Sequence, residues 1–212
     1  MSVDPRKMTE NELHEYVAEK EGHDSQVTGV VGYFYEMYRR EVIARVTGVP
    51  SRDILEVGCG EGMMFDGTSI APVQMDVSQR RARLARQKRT HVLCGDGYSL
   101  PFPSESFSVV LLVAVIEHTS RPWDVLQEAR RVLKPGGFTV IVVPNDVTMS
   151  VGRLLLGKFP IRYPDHLTYT TPRRMKRWLS NGFKVREAFT LPFRQLPYMA
   201  NLFYFVVAEK ES

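Results

Sequence analysis

The stretch ILEVGCGEG, residues 54–62, sets an apolar run directly against three glycines at alternate positions. Ile54 to Val57 is short and apolar, as a buried strand requires. Gly58, Gly60 and Gly62 let the backbone turn sharply and come close to a ligand. A helix after them would add unpaired amide hydrogens and a positive dipole end for an anionic group. A dinucleotide fingerprint, G-x-G-x-x-G, needs its third glycine at 63, and the chain has Met63 there. The loop therefore speaks for a ligand other than a pyrophosphate, with a ligand-free tight turn as the alternative.

Working outward, short apolar runs alternate with polar helical stretches. Strands are predicted at Pro72 to Val77, His91 to Cys94, Val109 to Val115 and Phe138 to Val143. Continuous runs such as VVLLVAVI and FTVIVV suit strands covered on both faces, as in a parallel sheet. Ser78 to Lys88 and Trp123 to Leu133 read as helices, and KPGG (134–137) as a helix stop and turn. Strand alternating with helix is the pattern of a doubly wound α/β sheet. Upstream, Thr9 to Lys20 opens with a Thr-x-x-Glu capping pattern, and Gly29 to Thr47 carries apolar residues at helical spacing. Downstream, a helix from Thr171-Pro172 to Ser180 precedes strands at Phe183 to Thr190 and Leu202 to Ala208. Only LPFRQLPYMAN joins those two strands, which suits an antiparallel return. The segment 63–74, MMFDGTSIAPVQ, holds Gly67 and Pro72 and is predicted to form a truncated helix of about two turns.

Two further acids stand where a nucleoside would need them. Asp76, in VQMDVS, ends the second strand, and a carboxylate has two acceptor oxygens for a vicinal diol. Its alternative is an acid at a helix start, because Ser78 has the form of an N-cap. Asp96, in LCGDGYSLPF, follows the third strand, where it could accept from an exocyclic amine or form an Asp-Gly turn.

The chain has 212 residues, 43% of them hydrophobic and 25% charged, which suits one domain with a sizeable core. Its longest apolar run, Val109 to Ile116, is far short of a membrane span. The polar opening MSVDPRKMTENELHEY lacks a secretory apolar region, so a cytoplasmic location is expected. Cys59 and Cys94 make neither a disulfide framework nor a zinc cluster, and no metal is expected. The net charge of +4 is too mild to point to nucleic acid.

Together these residues resemble the class I S-adenosylmethionine-dependent methyltransferases. The likeness rests on ILEVGCGEG, MDVS, GDGYSLPFPSESFSVV, IEHTSRPWDVLQEARRVLKPGG and DHLTYTTPRRMKRWLSNGFKV, and it covers about residues 50–190. It is nearest the small-molecule branch that includes the ubiquinone-biosynthesis type. The resemblance implies a Rossmann-like, doubly wound α/β fold with seven strands in the order 3-2-1-4-5-7-6, strand 7 antiparallel. It implies an N-terminal helical cap over 1–50, a methyltransferase domain over 51–212 and a substrate-side insertion at about 145–170. S-adenosyl-L-methionine is the cofactor it implies, and a small-molecule acceptor the partner, with O-methylation expected. Gly58, Cys59, Gly60 and Gly62 would border the methionine moiety, and Glu56 would orient its ammonium group. Asp76 would hold the ribose and Val77 pack on adenine. Asp96 and the Gly97 amide would read the adenine edge, and the Ala114 carbonyl would meet the ammonium.

Methyl transfer asks for position, exclusion of water and, for a protonated nucleophile, a base. His118, in IEHTS, and His166, in YPDHLTY, are the two candidate catalysts, each with a purely orienting role as its alternative. His14, His23 and His91 have no site context in the sequence. Tyr33 and Tyr35 on the N-terminal helix, and Tyr163 in the insertion, are candidate lid or substrate residues, whereas Phe34 is expected to pack. Arg153, Leu154, Leu155, Leu156 and Phe159 would form a partly apolar lid. The alternatives are an RNA or protein methyltransferase and a non-catalytic cofactor-binding subunit. The basic run 80–89 is the best support for RNA, but a solvated helix face is the simpler reading. The strand-four ending, VIEH, also lacks the Asn/Asp-Pro-Pro-aromatic form of base-amine methylation. A monomer or homodimer is expected.

Overall fold

The computed structural model describes residues 8–20, 29–155, 157, 163 and 165–211. Seven strands form one sheet: β1 (Ile54–Val57), β2 (Val73–Asp76), β3 (Val92–Cys94), β4 (Phe107–Val113), β5 (Leu133–Pro144), β6 (Phe183–Leu191) and β7 (Phe203–Lys210). Their order is β3-β2-β1-β4-β5-β7-β6. The first five pair in parallel, and β7 runs antiparallel to β5 and β6. This is the predicted order and sense. Among the described residues six helices accompany the sheet: α1 (Glu10–Lys20), α2 (Gly29–Val46), α3 (Gln79–Arg86), α4 (Pro122–Val132), α5 (Asp146–Leu155) and α6 (Pro172–Leu179).

The alternating side chains of β4 explain why its sequence is apolar throughout. Val110 and Leu112 enter one core with Leu126 and Ala129 of α4 and Met175 and Leu179 of α6. Val109, Leu111 and Val113 enter the other with Val42 and Val46 of α2 and Phe205 of β7. Both faces of a central strand are thus buried under helices, so period-2 polarity vanishes. Local signals set the helix starts. Thr9 and Glu12 form the reciprocal capping box, with the Thr9 amide donating to Glu12 at 2.8 Å and the Glu12 amide to Thr9 Oγ1 at 3.4 Å. Ser78 caps α3 by accepting from the Arg81 amide, and Thr171 caps α6 by accepting from Arg174.

Two expectations need correction. KPGG lies inside β5, not in a turn before it; the β4–β5 register jumps there, from Phe107 opposite Leu133 to Val109 opposite Phe138. The extra residues form a bulge that the ladder tolerates. The predicted helix after Gly62 is absent. Residues 61–69 run as successive turns, including Asp66 amide to Met63 carbonyl and Thr68 amide to Phe65 carbonyl. Two arginines satisfy carbonyls that a helix would have satisfied itself. Arg39 Nε donates to Met64 O at 2.8 Å, and its Nη2 to Asp66 O. Arg89 Nε donates to Gly62 O at 2.9 Å and pairs with the Asp66 carboxylate at 2.6 Å.

Candidate active site

The carboxyl ends of β1, β2 and β4 meet at the glycine loop, where two cavities share Gly58, Gly60, Arg81, Ala114 and His118 in their walls. The smaller, about 120 Å³, is also walled by Asp76, Val77, Asp96 and Gly97. The larger, about 300 Å³, is walled by Glu56, Cys59, the aromatic rings of Phe34, Tyr35, Tyr38 and Phe203, and Glu117, Tyr163, Asp165 and His166.

Close approach shapes the junction. Gly58 has φ +71°, and a Cβ there would lie 2.5 Å from Val115 Cγ2. Ala114, just past β4, has φ +52°, a left-handed conformation that a non-glycine residue holds only when its surroundings enforce it. Its amide donates to Val142 O at 2.8 Å, so the strained turn is pinned to β5.

The carboxylates are pre-positioned. Asp76 accepts the Gly60 amide at 2.8 Å on one oxygen and the Ser78 amide at 2.9 Å on the other. Burial still pushes its carboxyl above the usual range, against the pull of these amides and the Arg81 charge. Glu56 is buried; burial raises it to about 7, although Gln74 Nε2 donates to it at 2.6 Å. The Arg89 charge pulls it down only in part, and a buried carboxylate with one amide donor and no ion pair among the described residues suits a ligand that brings its own positive charge. Asp96 accepts the Tyr98 amide at 2.9 Å, which turns the chain and leaves the Gly97 backbone in the cavity wall.

The insertion reaches this site by docking on the turn after β4. The Thr168 amide donates to Glu117 O at 2.9 Å, and Thr168 Oγ1 donates to Thr119 O. His118 Nδ1 consequently lies 3.2 Å from Asp165 Oδ2. Burial pulls the His118 imidazole down, but the hydrogen bond to Asp165 and the charges of Glu117 and Asp165 outweigh it and hold it at about 9. His166 Nδ1 hydrogen-bonds Asp146 Oδ1, and its ring stacks on Tyr163 with centroids 5.0 Å apart. The two imidazoles meet edge to face at 4.8 Å.

Most predicted site residues wall one of the cavities, and five readings change. Gly62 borders neither; a Cβ there would lie 3.3 Å from Ala85 Cβ, so the glycine lets the loop pack on α3. Tyr33 is 68% exposed and faces away, whereas Phe34, expected to be ordinary packing, joins Tyr35 in the wall. His14 does have a site context: with Glu10 and Asn11 it walls the smaller cavity, and its ring lies 6.0 Å from His118. The basic run is only partly a solvated face, because Arg81 walls both cavities and Arg89 braces the loop. Leu154 and Leu155 are exposed, and Leu156, Phe159 and His23 lie outside the described residues. Glu10 holds α1 over the smaller cavity by accepting from Tyr98 Oη at 2.7 Å and Ser120 Oγ at 2.6 Å. The sequence signals the α1 helix but not this contact, which spans 110 residues.

Comparison with known proteins agrees with this geometry. Residues 55–141 match the family described as Methyltransferase domain. A probable S-adenosylmethionine-dependent methyltransferase of Mycolicibacterium smegmatis is 34% identical over 137 residues, covering 60% of this chain and 52% of that protein. A demethylmenaquinone methyltransferase of Renibacterium salmoninarum is 28% identical over 149 residues, covering 68% of this chain and 60% of that one. The chain spans about half the length of the curated relatives it matches. Among solved structures, a Thermotoga maritima methyltransferase described as a possible histamine N-methyltransferase superposes with a TM-score of 0.71 at 20% identity, covering 96% of this chain and all of that one. Among the described residues no helix is long and apolar enough to cross a membrane. Sheet order, glycine loop and acidic positions thus agree with the methyltransferase-domain match over residues 55–141 and with the similarity to S-adenosylmethionine-dependent methyltransferases.

Proposed function

We propose that this chain transfers a methyl group from S-adenosylmethionine to a hydroxyl of a small, partly aromatic acceptor held in the larger cavity. The observation that carries the reading is that cavity itself. Phe34, Tyr35, Tyr38 and Phe203 supply apolar and aromatic walls, while Glu117, His118 and His166 gather polar groups in the same wall. Such a mixture suits a ring bearing a hydroxyl. The 28% identity to a demethylmenaquinone methyltransferase supports an acceptor of that general kind.

The bound cofactor supplies an electrophilic sulfonium methyl with a good leaving group. The residues of the chain position it and exclude water. Asp76, fixed by two backbone amides, takes the ribose hydroxyls. Asp96 and the Gly97 amide meet the adenine edge, and Val77 packs on its face. Glu56 and the Ala114 carbonyl hold the ammonium group. Because Gly58 is pressed against Val115, the methionine end lies at the junction of the two cavities, facing the aromatic walls. With no cation beside it, the hydrogen bond to Asp165 and the charge of Glu117 favour the protonated form of the His118 imidazole, which suits it to orienting and stabilising charge more than to acting as the base. The Asp146–His166 pair has the arrangement for accepting a proton, a buried carboxylate fixing Nδ1 of the imidazole.

The test is incubation with methyl-labelled S-adenosylmethionine and a panel of phenols, catechols and quinols, read by mass spectrometry. Label on a hydroxyl oxygen is expected. Label found only in RNA or protein, or none from a chain that binds S-adenosylhomocysteine, would overturn the reading.

A further inference from the structure

We propose that Glu117, His118 and His166 form a binding site for one divalent transition-metal ion, contrary to the metal-free expectation from sequence. These three residues each offer a ligand atom, and the three atoms lie within 4.8 Å of one another. In a tetrahedral site with bonds of about 2.1 Å, donors stand about 3.4 Å apart, so small side-chain rotations close the set.

Independent observations point to a cation. Glu117 is 1% exposed, and its Oε2 has no hydrogen-bond partner. A carboxylate oxygen is an acceptor that few folds bury unpaired, and nothing among the described residues donates to it. Asp146 Oδ2, beside His166, is likewise unpaired. Three carboxylates, Glu117, Asp146 and Asp165, thus surround two imidazoles. The imidazoles are also oriented as metal ligands usually are. Asp165 holds Nδ1 of His118, and Asp146 holds Nδ1 of His166. A carboxylate on one nitrogen fixes the ring and turns the other toward a metal. Two imidazoles and one carboxylate favour zinc, iron(II), cobalt(II) or manganese(II) over calcium or magnesium.

The ligands are assembled only by the fold. Glu117 and His118 come from the turn after β4 and His166 from the insertion. All three wall the larger cavity, so an ion there keeps an open side toward it. If methyl transfer to a hydroxyl is the activity, the acceptor oxygen takes that open position. Coordination would then lower the hydroxyl pKa, a role otherwise left to an imidazole base.

The test uses the full chain without a polyhistidine tag, stripped by chelator and titrated with cobalt(II) chloride under visible spectroscopy. Saturation at one equivalent, with visible ligand-field bands that zinc(II) abolishes, is expected. Glu117→Gln and His166→Asn should each weaken cobalt binding at least tenfold. Calorimetric titration with S-adenosylhomocysteine checks that each variant is folded; if one does not bind it, the other decides. No saturable cobalt binding by wild type that binds S-adenosylhomocysteine would overturn the site, as would one-equivalent binding that survives substitution in a folded variant. The titration involves neither methyl donor nor acceptor, so its outcome stands apart from that of the acceptor screen.

Discussion

On one side of Ala114, Asp76 takes the amide of Gly60, sixteen residues away, and that of Ser78, two residues away. On the other, His118 meets Asp165 across 47 residues, and Thr168 meets Thr119 across 49. The smaller cavity is built from backbone amides, glycines and short separations. The larger cavity takes side chains from an insertion that docks on the turn after β4. A site of the first kind tolerates little change in its loop but depends little on distant elements. A site of the second kind can be altered by changing any element that delivers a residue.

The largest effect that would probe this contrast is Gly58→Ala. The left-handed conformation alone costs a non-glycine residue about 1–3 kcal/mol, and the 2.5 Å approach to Val115 adds to it. Affinity for S-adenosylhomocysteine should fall by roughly a hundredfold or more in calorimetry. Retained affinity would mean that the junction is looser than its geometry indicates. Asp76→Asn comes next. An amide side chain cannot accept from both Gly60 and Ser78, so binding should weaken at least about tenfold.

Arg39→Ala tests whether a side chain really substitutes for the missing helix. Losing its hydrogen bonds to Met64 O and Asp66 O should cost ~2 kcal/mol, a fall in Tm of roughly 4–8 °C. An unchanged melting curve would show that the turns after Gly62 hold without it.

The pH dependence sharpens the comparison at Glu56, which walls the larger cavity. Burial holds Glu56 at about 7, above its ordinary 4.5. In the unliganded protein its contribution to stability is therefore complete below about 4.5 and is lost as pH rises through about 7. Ligand binding has the opposite sign, because an ammonium group prefers the carboxylate. Affinity should rise roughly tenfold between pH 6 and pH 8, with proton release near pH 6 in buffers of different ionisation enthalpy. Glu56→Gln should flatten that profile; a profile equally steep in the variant would assign the titration elsewhere. The smallest effect belongs to Tyr33→Ala, which should leave S-adenosylhomocysteine affinity within about twofold, as a ring that is 68% exposed predicts.

Residues 54–113 show how far local pattern reaches. FSVVLLV is a strand because a mostly apolar run of that length needs cover on both faces, and the sheet supplies it; the shorter ILEV and VQMD are buried beside it. Asp76 and Asp96 were legible because a strand end followed by a turn positions a carboxylate without help from distant chain. The helix after Gly62 was misread because two arginines from elsewhere, Arg39 and Arg89, satisfy carbonyls that helix propensity would have assigned internally. The triplet Ser-Arg-Pro in the turn after β4 gave no hint that Ser120 would receive Glu10 from α1.

The strand order came from the family resemblance; by itself, then, the sequence determined the alternation of strands and helices, the glycine turn after β1 and the acids at the ends of β2 and β3. These depend on periodicity and on spacings of a few residues. The tertiary structure alone decided which aromatics face the cavity, that Gly62 packs and does not line, that His14 has a place in the site, and that Glu117, His118 and His166 converge. Those facts depend on the angle at which α1, α2 and the insertion dock on the sheet. Docking angle is set by the summed packing of both cores, and no short stretch of sequence encodes it.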